Sequence, residues 1–587
     1  MPRRKARPAI WSTFALPAVL FVTVVYVAVL VVMLIRTFTD PEPGVGNYVD
    51  LLTNPGFLRV LGNTLLFSLI AALLAVLIGY PIAYSIARTS GLTRAFLIVA
   101  IVTPYLTSVL IRTFAWQVIL GTNGPINAVI TAVGLPPAEM LYTGGAVVVG
   151  LAHSQLPLVV LALLPVIRKV DANQGLAARS LGAGPAVAFV RTFLPATRPA
   201  IVVAFVLAFV YCVGSFAVPA LLGGNQGRMV GSFIHMSIAN QGNYTQAATA
   251  AAILAVAVLV VLFVFMAVTR QRLESIVAPE LRQGSRTRAR RRAARAGRIS
   301  PPLGEILLVP VARLLDRIGI SARTWPLTTI SVLFSVLILL PQLMAIPISF
   351  AEAKSIVFPP KALSLHWYQA FFTPEWLVPT GVSLRIAVIA AIVATVLGAL
   401  AAIGVGRARS RWIENSFTPY LLIPLIFPAV VAAGAFYVGF LRVGLNDSEL
   451  GIVLAHIAIT LPQAFVLTLA GVQTLNPDYE RAAASLGAGR FRVLQRIVLP
   501  LLTGQIVASL GLTFITSFDE STIAVFLSGL RVKTLPRKIY ESMSTDVDPT
   551  VGVVAVFFMV IAGILGLAWM IFRRRRGRRL TLEGGRA

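Results

Sequence analysis

One cysteine, Cys212, and four histidines are present in 587 residues. A single cysteine excludes an intrachain disulfide and leaves the redox compartment open. The histidines have no metal-ligand spacing, and no HExxH, GxSxG or CxxC pattern occurs, so nothing marks a metal or hydrolytic centre. The Walker A pattern GxxxxGK[ST] is also missing, which leaves no recognisable P-loop for ATP hydrolysis. Acids are scarce: 22 Asp and Glu stand against 50 Lys and Arg, a net charge of +28. Nucleic-acid binding needs basic residues interleaved with aromatics on a folded surface. Here the arginines crowd loops and termini, so no nucleic-acid partner is expected.

Apolar residues are what the chain has in excess. They make up 57% of it against 12% charged residues, with a mean hydropathy of +0.85; the expected fold is an all-α integral membrane protein. A spanning helix needs roughly 20 apolar residues to cross about 30 Å of hydrocarbon. Twelve runs qualify: 11–35, 60–87, 95–120, 144–167, 199–222, 247–269, 326–350, 380–406, 415–440, 451–473, 504–528 and 551–572. The first follows "MPRRKAR" but is too long for a signal-peptide core and lacks a small-residue cleavage site, so it is expected to be retained. Orientation follows the Lys/Arg bias of the loops. The basic residues near the N-terminus, Arg407 with Arg409 and Arg411, the run 285–298 and the tail 573–579 fall on one side of an even-numbered topology. That side is read as cytoplasmic, with both termini on it.

The charge-rich stretch divides the chain into a first half at 1–269, a basic linker at 270–325, a second half at 326–572 and a basic tail at 573–587. Within the linker, residues 305–320 have helical apolar spacing with interspersed charge, which predicts an interfacial helix. The halves align at one constant offset: Ala482 and Ala483 stand 305 positions after Ala177 and Ala178, Gly487 after Gly182, and Pro500 after Pro195. Each copy lies between the fourth and fifth runs of its half. Both therefore face the same side, and the two six-helix halves are parallel repeats.

The repeated loops, about 171–198 and 474–500, read as a short helix, a turn and a second helix. Asp171 or Asn476 suits the first cap, Pro477 a first turn, and Gly-Ala-Gly a left-handed end. The paired alanines leave little side-chain bulk, so another backbone can approach. Two readings fit: packing beneath the loop's own bundle, or docking on a twofold partner.

These loops resemble the EAA loop of ABC importer permeases, E-A-A-x3-G-x9-I-x-L-P. The second copy, "RAAASLGAGRFRVLQRIVLP", keeps Ala482, Ala483, Gly487, Ile497, Leu499 and Pro500; the first, "LAARSLGAGPAVAFVRTFLP", keeps Ala177, Ala178, Gly182, Leu194 and Pro195. Both depart at the Glu, which is Leu176 in one and Arg481 in the other, with Glu480 one residue early; Thr192 replaces the Ile. The resemblance implies two parallel permease halves whose loops couple to two copies of an ATPase subunit, where ATP and Mg are used. This chain itself is expected to bind no cofactor and to be no enzyme. An extracytoplasmic solute-binding protein and the bacterial inner membrane are its other implied partners.

Residues 104–127 and 214–224 are similar to the first permease of the spermidine/putrescine importers, and 514–529 with 533–540 to the second. A polyamine is the implied solute; fused permeases for ferric iron or thiamine have the same layout and stand as alternatives. Asp519 and Glu520 are the most informative polar pair. They are read either as facing the path of an amine cation or as capping a helix break or pairing with an Arg. At the same offset the first half has Gly214 and Ser215 instead. Tyr105, Phe114 and Trp116 either line that path and attract ammonium groups or pack, and Arg112 is a counter-ion or a snorkelling residue. His153 and His456 are expected to pack. An ion-coupled secondary carrier shares the parallel six-helix plan. The duplicated loops and the scarcity of acids in other spans weigh against it.

Overall fold

The computed structural model describes residues 13–105, 107–171, 173–269, 303–318, 325–353, 358–408, 411–545, 548–561 and 563–564. The basic N-terminal residues up to Arg7, the arginine run 285–298 and the tail 573–579 lie outside the described residues. Among the described residues the regular structure is helical, with one isolated bridge between Ala351 and Leu363.

Nine described helices are long and apolar enough to cross a membrane: Leu16–Thr39, Pro55–Arg88, Gly144–Lys169, Pro185–Val213 and Tyr244–Phe265 in the first half, then Pro326–Ser349, Pro374–Gly406, Glu449–Thr474 and Phe491–Asp519 in the second. Their ends follow local chemistry. Asn54 accepts from the N–H groups of Gly56 and Phe57 at 2.8 and 3.2 Å, with Pro55 in the first turn. Thr143 and Ser448 cap the fourth-run helix of each half through Ala146 and Gly451. The same cap chemistry thus starts equivalent helices in both halves.

The remaining runs are not straight spans. Run 95–120 is split into Gly91–Tyr105 and a second segment beginning at Val109, bent by 102°. Its counterpart, 415–440, is broken into Arg411–Leu421, Ile423–Ile426 and Ala429–Arg442. Runs 199–222 and 504–528 stop at Val213 and Asp519 and resume as the short helices Ala217–Leu222 and Thr522–Leu527. Apolar residues flank all four breaks, and the backbone leaves helical geometry at Ser108, Pro428 and Glu520, each with ψ above 110°. Of run 551–572, helix Thr550–Ile561 is described, and residues 565–572 lie outside the described residues.

In each half the second and fourth runs form the tightest pair, Pro55–Arg88 on Gly144–Lys169 and Pro374–Gly406 on Glu449–Thr474. Within lipid there is little hydrophobic drive between helices, so small residues that allow close approach matter most. A Cβ on Gly79 would lie 2.8 Å from Val159, and one on Gly398 would lie 2.7 Å from the Ala464 Cβ. Each pair is sealed by a glycine at the same point.

The opening helices cross over. Leu16–Thr39 packs on Pro374–Gly406 and Ala429–Arg442 of the other half, where a Cβ on Gly439 would meet Val29 at 2.8 Å. Trp325–Ser349 packs on Pro55–Arg88, Gly91–Tyr105 and Val109–Leu120. Polar contacts pin it: the Ser85 and Ser331 hydroxyls are 2.8 Å apart, and His153 Nε2 lies 3.0 Å from the Ile338 carbonyl. The two halves are therefore interlocked.

Candidate functional site

Both repeated loops form the same elbow. Helix Asn173–Ser180 begins where Asp171 accepts from the Asn173 N–H at 2.9 Å, and helix Asp478–Ser485 begins where Asn476 accepts from the Asp478 N–H at 3.0 Å. Each ends on a glycine in the left-handed region, Gly182 at φ +88° and Gly487 at φ +81°. The next N–H reaches back five residues, Ala183 to the Ala178 carbonyl at 3.1 Å and Ala488 to that of Ala483 at 3.0 Å. This is the Schellman closure, which requires a residue free of Cβ strain at the turn.

The elbows are surface features. Neither short helix buries a residue; Ala177 and Ala482 are exposed, and Ala178 and Ala483 half-buried. Leu181 is 89% exposed and its counterpart Leu486 is 87% exposed. One exposed leucine means little, but two at equivalent turns, beside alanines, make a repeated apolar knob. The packing-beneath reading does not describe these short helices.

The second leg of each elbow runs directly into a span. Pro195 and Pro500 follow wide turns, Phe189–Phe193 and Leu494–Val498, in which the hydrogen bonds skip five residues instead of four. Proline lacks an N–H and crowds the preceding turn, and the wider turn accommodates both effects. At the family's Glu position Leu176 is exposed, and Arg481 is exposed and paired with Asp478 at 2.9 Å. Glu480 instead turns inward to Arg407, Nη2 to Oε1 2.6 Å, at the end of helix Pro374–Gly406.

Asp519 and Glu520 sit at the opposite end of the second elbow's span and do different work. Glu520 accepts from the N–H groups of Thr522, Ile523 and Ala524 at 3.0, 2.7 and 3.1 Å, capping the short helix after the break. Its Oε2 lies 3.9 Å from His456 Nε2, while His456 Nδ1 lies 2.8 Å from the Ser517 hydroxyl. Asp519 reaches into the first half, where its Oδ1 accepts from the Val109 N–H at 3.1 Å, with Ser108 beside the same carboxylate. Arg112, 4% exposed, and Tyr105 lie close enough to interact with that carboxylate electrostatically. Arg112 is buried, with its Nη1 donating to the Ser154 carbonyl at 3.5 Å, and its charge acts on Asp519 from beyond ion-pair distance. Trp116 stands apart, edge-on to His153 with centroids 5.6 Å apart, and Phe114 is buried in a cluster with Leu110 and Ile111.

Gly214, the counterpart of Asp519, meets the equivalent helix start by closeness alone. A Cβ there would fall 2.8 Å from the Ala429 nitrogen and 3.2 Å from the Pro428 Cα. One broken helix is held by a carboxylate, the other by backbone contact.

Sequence reading missed a ring cluster across the halves. The Phe216 ring centroid lies 4.8 to 5.3 Å from those of His235, Phe526 and Tyr540, tilted against the first and last and edge-on to Phe526. It also missed Asp447, whose carboxylate accepts from the N–H groups of Gly529, Arg531 and Val532 at 2.9 to 3.0 Å and anchors the loop after Thr522–Leu527. Neither has a local motif; both need the two strips of chain to be brought together.

Residues 75–274 and 394–578 each match the family described as binding-protein-dependent transport system inner membrane component. The spermidine/putrescine transport system permease protein PotC of Haemophilus influenzae is 30% identical over 216 residues, covering 36% of this chain and 84% of PotC. The putrescine transport system permease protein PotI of Escherichia coli is 29% identical over 248 residues, 41% of this chain and 88% of PotI. PotB of Haemophilus influenzae is 33% identical over 190 residues, 32% of this chain and 66% of PotB. Among solved structures, a bacterial ABC transporter that imports the acidic polysaccharide alginate aligns at 20% identity over 40% of this chain and 86% of its own, with a TM-score of 0.36. The family match falls once on each half, over the spans that carry the elbows. This chain belongs to the binding-protein-dependent inner membrane component family and is an ABC importer permease with two family repeats joined in one polypeptide.

Proposed function

We propose that this chain forms the whole membrane path of an importer for a small organic polycation of the polyamine class. Two copies of a separate ATPase subunit seat on its elbows, and an extracytoplasmic binding protein delivers the solute. ATP and Mg act in the partner, and the elbows and both termini face the cytoplasm. The observation that carries the reading is the pair of equivalent elbows, each with an exposed leucine on a Schellman turn.

The mechanism follows from continuity. Each elbow is the start of a 29-residue helix, Pro185–Val213 or Phe491–Asp519, which at 1.5 Å per residue spans about 43 Å. A movement imposed at the elbow arrives at Gly214 or Asp519, where the broken helices of the opposite half are held. Binding energy from ATP in the partner thereby shifts the equilibrium between the two access states. The polyamine assignment rests on the named activities of PotC, PotI and PotB and on Asp519, which unlike Glu520 does not cap the helix that follows it and lies near Tyr105.

Proteoliposomes test this. With the partner ATPase and binding protein present, labelled spermidine or putrescine is expected to accumulate on ATP addition and not when the ATPase is omitted. Uptake that ferric iron or thiamine supports and polyamines do not compete for would replace the substrate and keep the class. Uptake that needs an ion gradient and no ATPase would overturn the reading.

A further inference from the structure

The two elbows differ in one respect that the repeat does not explain. Helix Leu303–Arg317, from the linker, lies against the second leg of the first elbow. The Asp316 carboxylate accepts from the N–H groups of Ala186 and Val187 at 2.8 and 3.1 Å. These are the otherwise unsatisfied first donors of the leg that begins at Pro185. Gly184 is required there, since a Cβ would fall 2.1 Å from Asp316 Oδ2. Val309 and Ala312, 8% and 3% exposed, pack on Val190 beside Ala186, Val187 and Phe189. Gly489, the counterpart of Gly184, has open space where its Cβ would be.

The same helix has a second face without a protein partner among the described residues. Leu308, Val311, Leu314, Leu315 and Ile318 are between 38% and 59% exposed and recur at helical spacing on one stripe. Arg313 and Arg317 are exposed beside them. The helix is tied to a span at two points. Its Asp316 holds a leg that continues into the span Pro185–Val213, and the chain enters the span Pro326–Ser349 eight residues after Ile318. A stripe of this composition at that place fits the acyl boundary, with the two guanidinium groups at anionic headgroups.

We propose that helix Leu303–Arg317 lies in the lipid interface and that Asp316 clamps the first elbow to it, so that the membrane surface bears on one ATPase-docking elbow and not the other. The proposal rests on the reading of the elbows as ATPase docks. It makes the bilayer a third party to the coupling and the two docks inequivalent.

The test uses the full complex in nanodiscs of mixed neutral and anionic lipid. An environment-sensitive label at Leu314→Cys is expected to be quenched by lipids doxyl-labelled near the headgroup and shielded from an aqueous quencher. Free access of the aqueous quencher overturns the lipid assignment, and so does protection from both quenchers, which would mean a covering protein surface. For the clamp, Leu181→Cys and Leu486→Cys are cross-linked to the ATPase. Asp316→Ala is expected to lower the yield at Leu181 about five-fold, as for loss of a helix N-cap, and leave that at Leu486 unchanged. Gly184→Ala should reproduce that pattern by displacing the carboxylate, and Asp316→Glu should restore much of the yield. Equal yields at both elbows in every variant overturn the clamp. No cross-link at either elbow in the parent protein would instead sink the docking reading itself.

Discussion

The Asp519 carboxylate accepts a hydrogen bond from the Val109 backbone N–H at 3.1 Å, joining the last residue of a second-half span to the first residue of a broken first-half helix. An acid within a membrane protein is costly unless paired. Here it is satisfied by a helix start, with the buried Arg112 near enough for its charge to act on it.

That double role separates two substitutions. Asp519→Asn keeps an acceptor for Val109 and removes the charge, so folding should be little changed while polyamine uptake falls at least ten-fold. Glu520→Ala removes three backbone contacts of a local cap and should lower stability by about 1–2 kcal/mol. Uptake assays and thermal unfolding in detergent, measured on both variants, check the division. Equal loss of uptake and of stability in both would show the acids to be interchangeable scaffolding.

Replacement of Gly182 or Gly487 by valine forces a β-branched residue to positive φ, a strain of about 1–2 kcal/mol. An added Cβ meets nothing within 4 Å at either site, so the cost falls on the turn alone. Unfolding midpoints should move little and ATPase affinity should drop, by pull-down or interferometry. Leu181→Asp with Leu486→Asp should have the same effect on affinity with no strain at all.

Arg407 and Glu480 form a half-buried pair, 13% and 20% exposed at their side chains. It ties the second elbow to the end of Pro374–Gly406. Glu480→Gln should lower ATPase stimulation by transport, and the reversed pair Arg407→Glu with Glu480→Arg should recover part of it. A double-mutant cycle measures the coupling.

Asp447 supplies the pH dependence. Burial pushes its carboxyl up, but the N–H groups of Arg531, Val532 and Gly529 outweigh that and hold it below the ordinary 3.8. A depressed value in the folded state means its contribution is fully present above pH 3.8 and is lost as pH falls through the lower folded value. Hydrogen exchange in residues 529–532 should therefore accelerate only under strongly acid conditions. In Asp447→Asn it should already be faster at neutral pH.

The elbows were legible in the sequence because their chemistry is local: an Asx residue, a glycine and a proline fix cap, turn and leg within one stretch. Helix Leu303–Arg317 was legible for the same reason, through its spacing. The four breaks were not. Apolar residues continue across Gly214 and Pro428, the acids at 519–520 left two readings open, and proline alone does not mark a break, since Pro81, Pro157 and Pro462 sit inside unbroken helices. Glu520 as a cap was one of the two readings its position allowed. The partner of Asp519 lies 410 residues away, and no pattern along the chain points to it.

The exchange of opening helices has a consequence for how the protein is made. Leu16–Thr39 is synthesised long before Ala429–Arg442, yet the surface that receives it is completed only by that later helix. Until then the helix has to wait in lipid beside a half that is not its own destination. The joining of both halves on one ribosome shortens that wait and guarantees the match, since the receiving surface always arrives on the same chain and in the same copy number.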